Sequence, residues 1–138
     1  VENSFGEVKL PGGGMELGEE DYQVLLREVK EETGYDVIPE SIKPFGEIEE
    51  KRLSVHEPMI WHQINRLYVC DVYPEQGQCT YTDVEKKHGF HLVFYTIEEA
   101  LEKNRRMLEK EGRQAWNQRE YNTLLLIKDA GGHRDDHR

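Results

Sequence analysis

The stretch REVKEETG, residues 27–34, gathers carboxylates that could bind a metal ion. Glu28, Glu31 and Glu32 stand at i, i+3 and i+4, a spacing that puts their side chains on one face of a helix. Like charges at this spacing repel each other, and each carboxylate near a helix C-terminus is disfavoured by about 0.3–1 kcal/mol. Helix stability therefore does not require these residues, whereas Mg²⁺ or Mn²⁺ is held by carboxylates, waters and phosphate oxygens. The alternative interpretation is a solvated charged face, which is usual for an isolated Glu-Glu pair.

The helix that carries these acids is predicted over residues 19–33, with Gly34 as a left-handed cap after its last turn. Acidic residues 19–21 suit the positive first turn of such a helix. Apolar residues spaced i, i+3, i+4 and i+7 form the face that we expect to enter the core: Tyr22, Leu25, Leu26 and Val29.

The other segments alternate between strand and helix patterns, which predicts a single α/β domain over residues 1–130. Strands are predicted at residues 7–10, 45–53, 61–73 and 90–95, with a polar loop at residues 74–89. A Thr-x-x-Glu capping box at Thr96 predicts a helix that Gly112 ends, and a last helix is predicted at residues 114–130. Residues 131–138 are expected to form a flexible C-terminal tail.

Composition limits the partners and the location of the protein. The 138-residue chain is 36% hydrophobic and 33% charged, with a net charge of −10. Binding to a nucleic-acid backbone depends on Lys and Arg, so no long nucleic acid is expected as a partner. No apolar run approaches the roughly 20 residues that a membrane span needs, so no membrane association is expected. Cys70 and Cys79 do not form a Cys-x-x-Cys pair, and nothing resembles a secretory signal, which predicts a cytoplasmic protein with reduced thiols.

A longer pattern surrounds the acidic turn. From Gly13 the chain reads Gly, five residues, Glu19, seven residues, and then Arg27-Glu28-Val29-Lys30-Glu31-Glu32-Thr33-Gly34-Tyr35. This resembles the signature box of the Nudix hydrolases, Gly-x5-Glu-x7-Arg-Glu-U-x-Glu-Glu-x-Gly-U, in which U is a bulky apolar residue. All seven fixed positions match, and only Tyr35 departs, as an aromatic residue where an aliphatic one is usual. The preceding Leu10-Pro11-Gly12-Gly13-Gly14 also resembles the usual approach to the box.

The resemblance implies an α/β/α sandwich with a mixed sheet, in which the box forms a loop, helix, loop unit. Nudix chains commonly carry strands before this point, yet only ten residues precede Pro11, so N-terminal strands are either missing from this chain or replaced by another arrangement. The implied activity is metal-dependent hydrolysis of a diphosphate bond in a small nucleotide, a nucleoside triphosphate or a nucleotide derivative, with Mg²⁺ or Mn²⁺ as cofactor. The alternative is a Nudix module that binds a nucleotide without turning it over.

The resemblance also implies roles for individual residues of the box. Glu28, Glu31 and Glu32 would be metal ligands, with the backbone carbonyl of Gly13 as an addition. Glu19 and Arg27 would pair and orient the carboxylates. Glu28 is the expected general base. The alternatives for that role lie outside the box: Asp83 and Glu85 in the predicted loop, and Glu47, Glu49 and Glu50 in a predicted strand.

Several residues outside the box have both a functional and a structural interpretation. The cations Lys9, Lys51, Arg52 and Arg66 either hold a distal phosphate or lie on the surface. The aromatic residues Trp61, Tyr68, Tyr81 and Phe90 either stack on a base or fill the core. The segment WNQRE, residues 116–120, begins and packs the last helix, with a substrate role as the alternative. No zinc site is predicted from the histidines, and the oligomeric state is left open, with a homodimer as one alternative.

Overall fold

The computed structural model describes residues 1–13, 18–53, 60–110 and 116–130 of the chain. The helices and strands follow in the order helix α1 Asp21–Thr33, strand β1 Tyr35–Val37, strand β2 Lys43–Leu53, strand β3 Ile60–Val69, strand β4 Val72–Gln76, helix α2 Asp83–Lys87, helix α3 Ile97–Leu108 and helix α4 Asn117–Asp129, with a short 3₁₀ turn at Pro39–Ser41. None of the described helices has both the length and the apolar character that a membrane span requires.

Two antiparallel strand pairs form the sheets of the described residues. β2 pairs with β3 from Lys43 opposite Val69 to Leu53 opposite Ile60. β1 pairs with β4 in a separate sheet. The α/β class predicted from the sequence is confirmed, and within the described ranges the strand pairing is antiparallel where a mixed sheet was expected.

The long strand predicted at residues 61–73 is divided into β3 and β4. The division falls at Asp71, whose carbonyl accepts a hydrogen bond from the N–H of Ile38 at 2.9 Å and whose own N–H donates to Ser41 Oγ at 2.8 Å. Because these bonds hold the chain against the 3₁₀ turn, β3 cannot continue through this point. The polar loop predicted at residues 74–89 is also wrong, since it contains the end of β4 and the whole of α2. A second Thr-x-x-Glu capping box, formed by Thr82 and Glu85, begins that helix.

Residues 8–12 run beside the helices without forming a strand, so the strand predicted at residues 7–10 is wrong. Glu2 makes isolated bridges to Val8 and to His91 instead. Alternate N–H groups of the segment donate to side chains of three helices: Val8 to Asn104 Oδ1 of α3 at 2.8 Å, Leu10 to Glu120 Oε1 of α4 at 2.8 Å, and Gly12 to Glu32 Oε2 of α1 at 3.0 Å. Side chains therefore take the place that a neighbouring strand would occupy.

The strand predicted at residues 90–95 is wrong for a related reason. His91 exchanges both backbone hydrogen bonds with Glu2, each at 2.9 Å. The pairing does not extend beyond this bridge in the described part of the chain, and Phe94 is 77% exposed. A short apolar run alone thus does not make a strand without a partner backbone.

Helix α1 has the predicted position, but its buried face is shifted from the expected one. Val24 and Val29 are buried, whereas Tyr22 is 45% exposed and does not enter the core. The ring of Tyr22 packs edge-to-face on the ring of Tyr68 of β3, with centroids 5.4 Å apart. The predicted face is therefore wrong at its N-terminal end, where α1 meets a strand rather than the centre of the core.

The apolar core lies between residues 8–10 and helices α3 and α4. It consists of Val8, Ala100, Leu101 and Leu124, with Leu10, Ile97, Tyr121 and Leu125 packed against them. The Thr96 capping box is confirmed, with its hydroxyl accepting from the N–H of Glu99 at 3.1 Å. α3 ends at Leu108, while Gly112 and the predicted tail at residues 131–138 lie outside the described residues.

A buried amide ties the core helices to the N-terminal segment. Asn104 is fully buried, and its Oδ1 accepts from the N–H of Val8 and from Asn117 Nδ2 at 3.2 Å. Its Nδ2 donates to the carbonyl of Val8 at 2.7 Å. One side chain thus satisfies both backbone groups of Val8, which would otherwise be buried without partners.

We predict that Asn104→Ala lowers the free energy of unfolding by about 2–4 kcal/mol, because buried donors and acceptors lose their partners. Urea denaturation measures the change. Asn122→Ala is the control, since Asn122 lies exposed on α4 and accepts one bond from Gln118 at 3.0 Å. A loss in Asn104→Ala no larger than in this control would contradict the structural role assigned to the amide.

Candidate active site

Helix α1 ends at a glycine that both its backbone and its surroundings require. Gly34 has φ 79°, and its N–H donates to the carbonyl of Lys30 at 2.9 Å. A Cβ atom at this position would lie 2.2 Å from the carbonyl oxygen of Gly77. Left-handed geometry and close backbone contact both favour glycine, so the acidic turn ends at a fixed point.

A carbonyl-capping segment, residues 76–81, covers the end of α1. Helix C-termini leave carbonyl oxygens without partners inside the helix. The segment supplies these partners: Thr80 N–H to Glu31 O at 2.7 Å, Tyr81 hydroxyl at 2.7 Å and Cys79 Sγ at 3.4 Å to Glu32 O, Gln76 Nε2 to Thr33 O at 3.0 Å, and Gly77 N–H to Gly34 O at 2.7 Å. The donors offset the partial negative charge at the helix end that carries the acids.

Glu32 is the most deeply buried acid of this turn, with an exposed fraction of 1%. Its Oε2 accepts from the N–H of Gly12 at 3.0 Å, while its Oε1 is buried and has no hydrogen-bond partner among the described residues. Lys9 Nζ lies 3.9 Å from that oxygen. Burial is the main reason that the pKa of Glu32 is raised from its ordinary value of 4.5 to about 8, and a hydrogen bond with Glu28 adds to the shift against the opposing effects of Lys9 and Gly12.

Arg27 holds three of the other acids in place. It binds Glu19 with two parallel hydrogen bonds, at 2.8 Å and 2.9 Å, and donates to Glu28 Oε1 at 2.7 Å. The same nitrogen lies 3.5 Å from Glu31 Oε2. A planar guanidinium fork thus fixes the side chains on both sides of it.

Gly13 packs directly on the carboxylate of Glu28. A Cβ atom on Gly13 would lie 2.4 Å from Glu28 Oε1, so only glycine allows the backbone to come this close. Glu28 and Glu32 are brought together, but Glu31 turns toward Arg27 and is 32% exposed. Among the described residues, no group of three or more His, Cys, Asp or Glu side chains is arranged so that it could hold a metal ion.

A cleft of about 440 Å³ opens beside Glu28. Its apolar wall includes Leu10, Val24, Leu25 and Leu67. Its polar side chains come from residues 9–28, from β3 and from α4: Lys9, Asp21, Glu28, Gln63, Asn65, Arg66, Tyr68, Arg119, Glu120 and Thr123. Burial raises the pKa of Glu120, whose carboxylate accepts the N–H of Leu10.

None of the alternative general bases is among the residues that line this cleft, although two of them contact arginines that do. Glu85 accepts the N–H of Thr82 in the capping box of α2, and Asp83 is exposed in the first turn of the same helix. Glu47 binds Arg66 at 3.2 Å, and Glu50 faces Arg119 at 3.6 Å. Glu49 is exposed on β2.

The predicted cations and aromatic residues are divided between the cleft and other places. Lys9, Arg66 and Tyr68 line the cleft, and Lys51 is exposed. Tyr81 belongs to the carbonyl-capping segment, and Phe90 packs near Trp116 with ring centroids 6.3 Å apart. The side chains of Arg52 and Trp61 lie outside the described residues.

Some residues of the cleft were not recognised from the sequence. Gln63 and Asn65 sit at alternate positions of β3, and two amide side chains on one face of a strand are a signal of a polar site. The sequence marks Arg119 and Glu120 only as part of the segment at residues 116–120. The structure brings both into the cleft, while Trp116 and Asn117 pack inside the protein.

A family model described as the NUDIX domain matches residues 2–134. The match covers nearly all of the 138-residue chain, so the chain belongs to the Nudix domain family. This is a family of pyrophosphohydrolases that act on nucleoside diphosphate derivatives and generally use divalent metals. Searches of curated proteins and of solved structures found no match to this chain.

We predict that Tyr81→Phe lowers the free energy of unfolding by about 1 kcal/mol, because the carbonyl of Glu32 loses its 2.7 Å hydroxyl donor. Thermal or urea denaturation measures the change. Tyr73→Phe is the matched control, since Tyr73 is 44% exposed on β4. Equal stability losses in the two variants would argue against a specific role for the Tyr81 hydroxyl.

We also predict a pH effect on stability from Glu32, measured with a chelator present. Because the pKa of Glu32 is raised in the folded protein from 4.5 to about 8, the folded state keeps a proton that the unfolded chain releases in this interval. The stabilising contribution of Glu32 is thus complete below about pH 4.5 and is lost as the pH rises through about 8. Wild type should therefore lose stability relative to Glu32→Gln across this interval, by an amount on the order of a few kcal/mol. The exposed Glu40→Gln serves as the control, and parallel pH curves for wild type and Glu32→Gln would contradict the prediction.

Proposed function

We propose that the protein is a divalent-cation-dependent pyrophosphohydrolase that cleaves a diphosphate bond in a nucleoside triphosphate or a nucleotide derivative. The observation that carries the proposal is the pair formed by the half-buried Glu28 and the buried Glu32, which has an unpartnered carboxylate oxygen, beside a cleft of about 440 Å³ that Glu28 lines. An acid this deeply buried is costly unless something positive binds it. The cleft next to it offers room for a nucleotide.

The donor set of the site fits Mg²⁺ or Mn²⁺. Hard divalent cations prefer carboxylate and carbonyl oxygens over nitrogen or sulfur ligands. Glu28 and Glu32 would hold the cation, with Glu31 from the same turn and the backbone carbonyl of Gly13 as further ligands. The unpartnered Oε1 of Glu32 supports this assignment because it is an acceptor without a hydrogen bond. A bound divalent cation would neutralise charge on the diphosphate and make a bound water more acidic.

The residues of the chain have distinct tasks in this proposal. Glu28 accepts the proton of the attacking water. Arg27 and Glu19 are positioning residues: their bidentate pair at 2.8 Å and 2.9 Å holds the guanidinium that orients Glu28. Lys9, 3.9 Å from Glu32, keeps a positive charge at the back of the site.

Glu28 is preferred over the other acids as general base because of where they lie. Asp83 and Glu85 belong to the short helix α2 and do not line the cleft, and Glu85 already caps that helix. Either acid would have to move toward the cleft to serve as the base. They remain the second choice for this role.

A second candidate is a Nudix module that binds a nucleotide without hydrolysing it. The contact between Glu31 and Arg27 favours this candidate, because it pairs Glu31 with a guanidinium, which also binds Glu28, rather than with a cation-binding position. The two functions differ in their products. A binding module would retain nucleotide affinity in the presence of metal but release no phosphate or pyrophosphate.

The deciding experiment measures release of phosphate and pyrophosphate from nucleoside triphosphates, nucleotide sugars, ADP-ribose and dinucleoside polyphosphates. We expect turnover of at least one of them with Mg²⁺ or Mn²⁺ and none with chelator. Glu28→Gln and Glu32→Gln should each reduce the rate by roughly 10²-fold or more, as expected for loss of a metal ligand or proton acceptor.

Glu98→Gln, on α3 and outside the cleft, is the control and should retain the wild-type rate. Full activity in both Glu28→Gln and Glu32→Gln would contradict the residue assignments. Metal-dependent binding with no product from any substrate would favour the binding module instead.

A further inference from the structure

Arg119 brings hydrogen-bond donors to the cleft that no described residue accepts. Its side chain is only 16% exposed. The nearest carboxylate oxygens are Glu50 Oε1 at 3.6 Å and Glu120 Oε2 at 3.7 Å, and both distances exceed a hydrogen bond. Arg119 thus faces these two oxygens in ion pairs, and Glu50 Oε1 has no hydrogen-bond partner of its own among the described residues. A guanidinium carries five N–H donors, so further donors of Arg119 are open to the cleft that it lines. These donors are available to a ligand in the cleft.

Asn65 on β3 adds a second donor to the same cleft. Its Oδ1 accepts from Gln63 Nε2, whereas its Nδ2 is buried and has no hydrogen-bond partner among the described residues. Two independent side chains, one from a strand and one from a helix, thus lack acceptors at one site. The ligand that suits them carries hydrogen-bond acceptors.

The local charge favours a neutral acceptor over a phosphate. The guanidinium of Arg119 already lies within 4 Å of the carboxylates of Glu50 and Glu120, so the cluster has no excess positive charge. A further phosphate would meet two acids at close range. The carbonyl oxygen of a flat heterocycle avoids this repulsion, and apolar side chains such as Leu25 and Leu67 can pack on its ring.

We infer that Arg119, together with Asn65, binds the nucleobase of the substrate by donating hydrogen bonds to its carbonyl oxygen. The inference rests on the proposed function, because it takes the substrate to be a nucleotide. An arginine fork matches a carbonyl oxygen with a neighbouring ring nitrogen, as in O6 and N7 of guanine. Glu50 and Glu120 hold the guanidinium from two sides and act as positioning residues.

The test measures equilibrium binding by calorimetry in the presence of Mg²⁺, with α,β-methylene analogues of guanosine and adenosine triphosphate and with inorganic tripolyphosphate as probes. Arg119→Lys keeps the positive charge beside Glu50 but loses the fork. We expect this substitution to lower the affinity for the guanosine probe by roughly tenfold or more. The affinity for tripolyphosphate should stay within about twofold of the wild-type value. The adenosine probe has no carbonyl oxygen on its base, so its affinity should fall less than that of the guanosine probe.

Two further variants sharpen the test. Asn65→Asp replaces a hydrogen-bond donor by an acceptor of the same shape. It should also lower the affinity for the guanosine probe more than the affinity for tripolyphosphate. Arg106→Lys, at a position 69% exposed on α3 and outside the cleft, is the matched control and should change none of the affinities.

Each other outcome overturns the inference in a recognisable way. Equal losses of affinity for the guanosine probe and for tripolyphosphate in Arg119→Lys would mean that Arg119 binds phosphate rather than the base. Equal losses for the guanosine and adenosine probes would exclude the carbonyl contact. Unchanged binding of every probe in Arg119→Lys would remove Arg119 from the site while the proposed function stands. If the unsubstituted protein bound no probe at all, the proposed function itself would fail.

Discussion

Each carboxylate at the C-terminal end of α1 adds negative charge where the helix backbone already carries partial negative charge. Three contacts make this accumulation tolerable in the folded protein. The carbonyl-capping segment donates to the backbone oxygens of the last turn, Arg27 neutralises the acids on one side, and Lys9 approaches Glu32 on the other. Even so, Glu32 keeps one oxygen without a hydrogen bond, and its pKa is raised to about 8. The remaining imbalance is what a bound cation would relieve.

The sequence was sufficient to predict the features that depend on local spacing. The position of α1, its cap at Gly34 and the capping box at Thr96 follow from residues within a few positions of each other, and the structure has all of them. The proximity of Glu28 and Glu32 could be predicted for the same reason, whereas Glu31 turns toward Arg27. The second capping box, at Thr82, has the same local signal but lies among polar residues that lack an apolar helical pattern.

Other features depend on contacts between residues far apart in the chain, which local patterns do not contain. The strand predicted at residues 7–10 has the right composition, yet its N–H groups bind Asn104 and Glu120, which lie 96 and 110 residues away from their partners. Tyr22 follows the apolar spacing of α1 but meets Tyr68 at the surface. Likewise, nothing local in the sequence marks Arg119 and Asn65 as neighbours of one cleft.

The three side-chain contacts to residues 8–12 give this short segment an influence beyond its size. The N–H groups of Val8, Leu10 and Gly12 are held in turn by α3, α4 and α1, so the segment links the core helices to the acidic turn. Gly12 is the residue whose N–H donates to Oε2 of the buried Glu32. The burial of Glu32 therefore depends partly on α3 and α4, which contribute no carboxylate to the acidic turn. A change in the packing of these two helices would shift the backbone of residues 8–12 and so change the environment of Glu32.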